Sequence, residues 1–182
     1  GDVWWIDEAT DTQGFAPDES DPSIPADAEI LPVFHVLQQD EAFTGGEIAV
    51  SARLGELAGF SFSADAAFDL VRAKFDGGGH PPRIPPHSLT LGLEAENAHW
   101  SGRIEWVDVA EQDRTAAFET PTSGYSLLNA GIGLRPFADN ALMLRIDGRN
   151  LTDETARAHT SFLKDELTLP GRNIRFTVLT RF

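Results

Sequence analysis

Three histidines are the residues of this chain best suited to chemistry, and the chemistry they suit is metal binding. His80 and His87 lie in the segment 75–87, and His159 lies in the segment 152–170. Imidazole nitrogens among carboxylates suit Zn²⁺. Carboxylates are plentiful, since 29 acidic against 14 basic residues give a net charge of −15. The plainer alternative is that these are ordinary, unpaired loop histidines. His35 and His99 read as a strand residue and a turn residue.

Other chemistry finds no support. Serines and histidines are scattered, and neither Gly-X-Ser-X-Gly nor His-Glu-X-X-His occurs, so no enzyme is expected. Gly77-Gly78-Gly79 lacks the Lys-Ser/Thr of a phosphate loop and reads as a loop tip. The absence of cysteine removes disulfides and thiolate metal sites. An acidic surface repels phosphate backbones, which excludes nucleic acid as a partner. No resident cofactor is implied; a metal ion or metal chelate would be cargo.

The elements that must position these histidines are strands. Apolar residues recur at every second position in 59–75 (Phe60, Phe62, Ala64, Ala66, Phe68, Leu70) and in 88–96 (Leu89, Leu91, Leu93, Ala95). The same period holds in 100–109 (Trp100, Ile104, Trp106), 141–150 (Leu142, Leu144, Ile146) and 172–182 (Ile174, Phe176, Val178, Phe182). Weaker runs occupy 46–54 and 124–135. Period-2 alternation predicts about seven antiparallel strands, with an eighth at Val3–Ile6 and no helix.

The connections alternate in length. Residues 54–59, 96–99 and 135–140 are short links, and 75–87, 111–123 and 152–170 are long ones. Tight turns on one side and long loops on the other mark a transmembrane barrel, whereas a soluble sandwich has no reason to sort its loops. Residues 7–32 carry Pro17, Pro22, Pro25 and Pro32 among recurrent acids and read as a long acidic outer loop. No run of ~18 apolar residues exists, so no transmembrane helix is possible. The alternating runs reach ~10 residues, enough for a tilted strand to cross a bilayer. Their polar face is charged, through Arg145, Asp147, Arg149, Arg175 and Arg181, as a wet lumen tolerates. The fold expected is therefore all-β: a segment of an antiparallel transmembrane β-barrel of about 7–8 meander strands. A small self-contained barrel or sandwich that binds a ligand or partner is the alternative.

Several segments carry a resemblance. Asn150-Leu151-Thr152-Asp153-Glu154 follows a strand, then come His159-Thr160-Ser161-Phe162-Leu163-Lys164-Asp165 and Leu169-Pro170-Gly171-Arg172-Asn173, and the last strand closes on Phe182. Upstream stand Phe43-Thr44-Gly45-Gly46-Glu47, Pro85-Pro86-His87-Ser88-Leu89 and Glu119-Thr120-Pro121-Thr122-Ser123-Gly124-Tyr125. Across most of 31–182 this resembles the C-terminal end of TonB-dependent outer-membrane receptors, and the segments around His159 resemble the branch linked to zinc or haem uptake.

The resemblance implies a barrel of about 22 strands plugged by an N-terminal domain, driven by the TonB complex and placed in the bacterial outer membrane. It implies TonB-driven uptake of a metal ion or a metal chelate such as a siderophore or haem. It also implies lipid, the rest of the barrel and the plug as partners, and recognition of the Phe182 end by the barrel-assembly machinery. Residues 1–182 are then expected to be the C-terminal part of such a barrel, with 1–32 mostly loop, 33–182 strands, and no plug. The start Gly1-Asp2-Val3-Trp4-Trp5 shows neither Met nor a secretory signal. It predicts a segment of something longer, a processed small protein being the alternative.

Overall fold

The computed structural model describes residues 2–8, 34–137 and 141–180, with side chains from residue 40 onward. Eight strands follow one another: β1 (Asp2–Glu8), β2 (Phe34–Leu57), β3 (Phe60–Phe75), β4 (Ser88–Glu96), β5 (Trp100–Val109), β6 (Tyr125–Leu134), β7 (Leu142–Arg149) and β8 (Asn173–Thr180). They form one sheet in chain order, each antiparallel to the next. β1 and β8 are its two edges, and no helix occurs among the described residues.

The expected strands stand where the alternation placed them, with one extension. β2 begins at Phe34 rather than near residue 46 and continues past 54, where a turn is expected. The ladder absorbs one extra residue between Arg53 and Gly55, a β-bulge, and Gly55 takes a φ of 129° that few other residues tolerate. Pairing then resumes, and the hairpin closes in the two residues Ala58 and Gly59, both left-handed (φ 53° and 80°) as such a turn requires. Asp7 and Glu8, expected in the acidic loop, are instead the end of β1, opposite His35 and Phe34. The rest of that loop from residue 9, and Phe182, lie outside the described residues.

Residues directly opposite in an antiparallel ladder share a face, so the register gives rows across the sheet. One row reads Ala66–Leu91–Trp106–Leu128, and another Ala64–Leu93–Ile104–Ala130. The intervening rows read Asp65–Gly92–Glu105–Asn129 and Arg103–Gly131–Asp147–Arg175. One face is thus apolar through the middle of the strands, with Arg72, Lys74, Asp108 and Ser126 on it toward the long connections, and the other face carries the charged pairs.

The apolar face has no cover. Ile48, Leu91, Ile104 and Phe176 are 65%, 42%, 47% and 73% exposed. A sandwich would bury this face under a second sheet, but the described strands make a single sheet. An apolar surface exposed to this extent marks a face that meets something other than water.

On the charged face, Arg103 reaches across β4 to donate to both Asp65 carboxylate oxygens, at 2.5 and 2.9 Å, and to Glu105 at 3.1 Å. Gly92 leaves room for that reach, because a Cβ there would stand 2.5 and 2.6 Å from the Asp65 oxygens. Arg145 and Arg175 both approach Asp147. Such pairs survive on a face that water wets, where neither charge is fully stripped of solvent.

Candidate functional site

All the burial is at one end. Glycines aside, every buried residue among those described lies in, or at the strand ends beneath, the segments 76–87, 110–124 and 150–172. These three long connections leave one end of the sheet, and the connections after β2, β4 and β6 leave the other. The long loops therefore form a cap with a core of its own, while the strands have none.

Each loop is fixed at its base. Asn150 takes φ 48°, a left-handed conformation that asparagine accepts better than most residues. Its side chain bonds the Glu154 amide (2.8 Å) and the carbonyls of Glu154 (2.8 Å) and Pro170 (3.3 Å), closing the neck of 150–172. Asp153 accepts the Arg172 amide at 2.8 Å across the same neck. The Asn150–Glu154 and Pro170–Arg172 segments, separate in sequence, are thus two halves of one clasp. Gln112 donates to the Ile84 carbonyl at 2.8 Å and ties the second loop to the first.

Glu119 is the hub. Its Oε1 accepts the Arg83 amide at 2.9 Å, and its Oε2 the Ala116 amide at 3.0 Å. Oε1 also lies 3.5 Å from Lys164 Nζ and 3.3 Å from His159 Nε2. One carboxylate, 8% exposed, therefore joins all three loops. Lys164 donates to the Thr120 carbonyl, and Thr120 Oγ1 donates to Asp165 at 2.6 Å.

His159 sits inside this cluster with its side chain fully buried. Its Nδ1 is 2.9 Å from Thr122 Oγ1 and 3.4 Å from Lys164 Nζ. An ammonium can only donate, so Nδ1 is the acceptor and the proton belongs on Nε2. Nε2 faces Glu119 but makes no aligned hydrogen bond. Burial first, and the Lys164 charge second, hold this imidazole below its ordinary value, against the pull of Glu119 and Asp165.

The ring is neutral when the cap is closed and takes a proton near its ordinary 6.5 once released, so the cap is fully stable above that pH and loosens as pH falls below it. Hydrogen exchange of 150–172, corrected for intrinsic rates, is expected to be faster at pH 5 than at pH 7.5. His159→Gln, which keeps an acceptor for Thr122, is expected to flatten that difference; an unchanged pH response in the variant would overturn it.

The other two candidate histidines stand apart from this cluster. His80 is half-buried and bonds the Ala73 carbonyl through Nδ1 at 3.1 Å. His87 is exposed, its ring 6.1 Å from that of Phe68. No three His, Asp or Glu side chains converge as a metal-binding group among the described residues. His99 lies in the β4–β5 turn, bonded to the Arg135 carbonyl at 3.0 Å.

Above the charged face the loops leave a cavity of about 590 Å³, lined among others by Glu41, Phe43, Arg83, Phe118, Phe162 and Lys164. The Arg83 guanidinium lies 3.5 Å over the Phe162 ring. Sequence reasoning singled out neither Glu119 nor Lys164, because loops carry no periodicity to show which side chain turns inward, and it missed Glu41 because β2 was expected to start only near residue 46.

An uncovered apolar sheet face, a charged opposite face, and long loops clasped at one end define a segment of a membrane β-barrel wall. The sequence pattern of the family described as TonB dependent receptor-like, beta-barrel matches residues 6–151. The chain belongs to that family.

Among solved structures 31 chains match. One is described as the copper transporter OprC, with a TM-score of 0.69 and 21% identity, over 81% of this chain and 24% of that one. This likeness shows the fold, and the chain spans about a quarter of that transporter's length. No curated protein matches the sequence.

Proposed function

We propose that this chain is the C-terminal part of a TonB-dependent outer-membrane receptor that takes up a metal ion or a metal chelate. In this reading the short turns face the periplasm, the long loops face outward, and the charged face lines the lumen against a plug. Lipid covers the apolar face, and β1 and β8 pair with the rest of the barrel. The TonB complex acts through the N-terminal part, and the barrel-assembly machinery reads the Phe182 end. No enzymatic step is involved.

The observation that carries this reading is the clasped loop cap over a cavity on the charged face, on a sheet whose other face suits lipid. Copper is named for one structural neighbour, and it heads the cargo panel for that reason, with zinc, ferric siderophore and haem beside it. His80 and His87, on the first loop, are the candidate contacts for a metal centre there; His159 is the third candidate, set within the cap's ion cluster.

Cells carrying the intact receptor gene are expected to accumulate one of these cargoes. Accumulation should stop when the proton-motive force is collapsed or TonB is deleted. Metal content equal to that of receptor-deleted cells for every cargo would sink the proposal.

A further inference from the structure

The cavity under the loop cap contains a carboxylate with one oxygen buried and without a hydrogen bond. Glu41 is only 7% exposed, lines the cavity, and has its Oε2 buried without a hydrogen-bond partner. In the unbroken register from Glu41 to Arg53 it lies on the same face of β2 as Glu47 and Ser51, the charged one. A buried carboxylate left unpaired is costly, and a ligand that brings a positive donor removes that cost.

The two other carboxylates of the cavity are already answered, and its free-standing cation is stacked on a ring. Glu119 is taken by Lys164 and two amides, and Asp165 accepts from Thr120. The cation Arg83 lies against Phe162. Large apolar rings line the same cavity: Phe43, Phe118 and Phe162 are 56%, 70% and 85% exposed, with Arg83 over one face of Phe162. A flat apolar body gains most from such rings. The volume of about 590 Å³ is that of a pocket for a small organic molecule. With no three metal-ligating side chains converging among the described residues, a bare ion has no ready-made set of protein ligands here.

We infer that the cavity binds an organic cation: a molecule with a flat apolar or aromatic body and a positively charged nitrogen, or a metal chelate bearing such a group, seated with its charge on Glu41. This rests on the reading of the loop end as the receptor's outward, cargo-binding face.

The test is fluorescence polarisation with two dyes of similar size and opposite charge, rhodamine 6G (a flat cation) and fluorescein (an anion). The full-length receptor is used in detergent, at ~0.3 M salt so that the acidic surface is screened. Rhodamine is expected to bind saturably and about tenfold or more tightly than fluorescein. Glu41→Gln should abolish that preference, and Phe162→Ala should weaken rhodamine binding. Equal affinity for the two dyes, no saturable binding, or an unaltered preference in Glu41→Gln overturns the inference. If Glu41→Gln loses its heat-modifiable folded band, the two-dye comparison on the unaltered receptor decides alone. Energised uptake without the dye preference leaves the receptor reading standing and removes this one; the preference without uptake does the reverse.

Discussion

Replacing Glu119 by alanine is expected to unfasten all three long loops at once while the strands keep their protection from hydrogen exchange. The carboxylate holds the Arg83 and Ala116 amides and faces Lys164 and His159. Its removal leaves the Lys164 ammonium, itself 6% exposed, with the Thr120 carbonyl as its main remaining partner. Breaking a buried pair by deleting one member costs about 3–5 kcal/mol, most of it the penalty of the stranded charge. A cap held by a modest core cannot absorb that. Peptides from 76–87, 110–124 and 150–172 should exchange at loop-like rates, and β3 to β6 should be unchanged.

The double variant Glu119→Gln, Lys164→Met separates charge from geometry. It removes both ions and keeps one oxygen, for either the Arg83 or the Ala116 amide, while the other amide faces the glutamine nitrogen. Because replacing a buried pair by uncharged groups of similar volume is often near neutral, and only one of two amide bonds is lost, its cap should exchange more slowly than that of Glu119→Ala. A double variant as open as Glu119→Ala would show that the cluster acts through hydrogen-bond geometry and that the stranded charge is a minor part.

These expectations rest on Glu119 and Lys164, which the sequence showed inside motifs and not as partners, in contrast with the strands. β4, β5, β7 and β8 were legible because their side chains alternate between two solvents, and period 2 survives any detail of packing. The end of β2 was not legible, because Gly55 looks like a turn and is the residue that lets a bulge pass. The cap was legible as three long connections and several motifs, among them Asn150–Glu154 and Pro170–Arg172. That they grip each other needed the structure, since a side chain-to-backbone clasp across about twenty residues leaves no periodic trace. His159 was legible as a candidate and not as a cluster member. Its partners Glu119 and Thr122 come from another loop, and burial of an imidazole in an ion cluster has no sequence signature.

The faces themselves are testable at two adjacent positions of one strand. Leu91 and Thr90 lie near the middle of β4, Leu91 in the apolar row Ala66–Leu91–Trp106–Leu128 and Thr90 opposite Ala67 and Val107 on the charged face. In water, on a one-sheet protein, arginine at Leu91 would improve solubility, since that side chain is 42% exposed. In a bilayer the same substitution places a cation in hydrocarbon near the midplane, at a cost of about 2–4 kcal/mol. Thr90→Arg meets a wet, charged lumen and should change stability by no more than about 1 kcal/mol. Urea titration of folding into lipid vesicles, read by heat-modifiable gel mobility, is therefore expected to shift strongly for Leu91→Arg and little for Thr90→Arg. A reversed order would mean that the apolar face meets protein or water, and that the assignment of lumen and lipid sides must be exchanged.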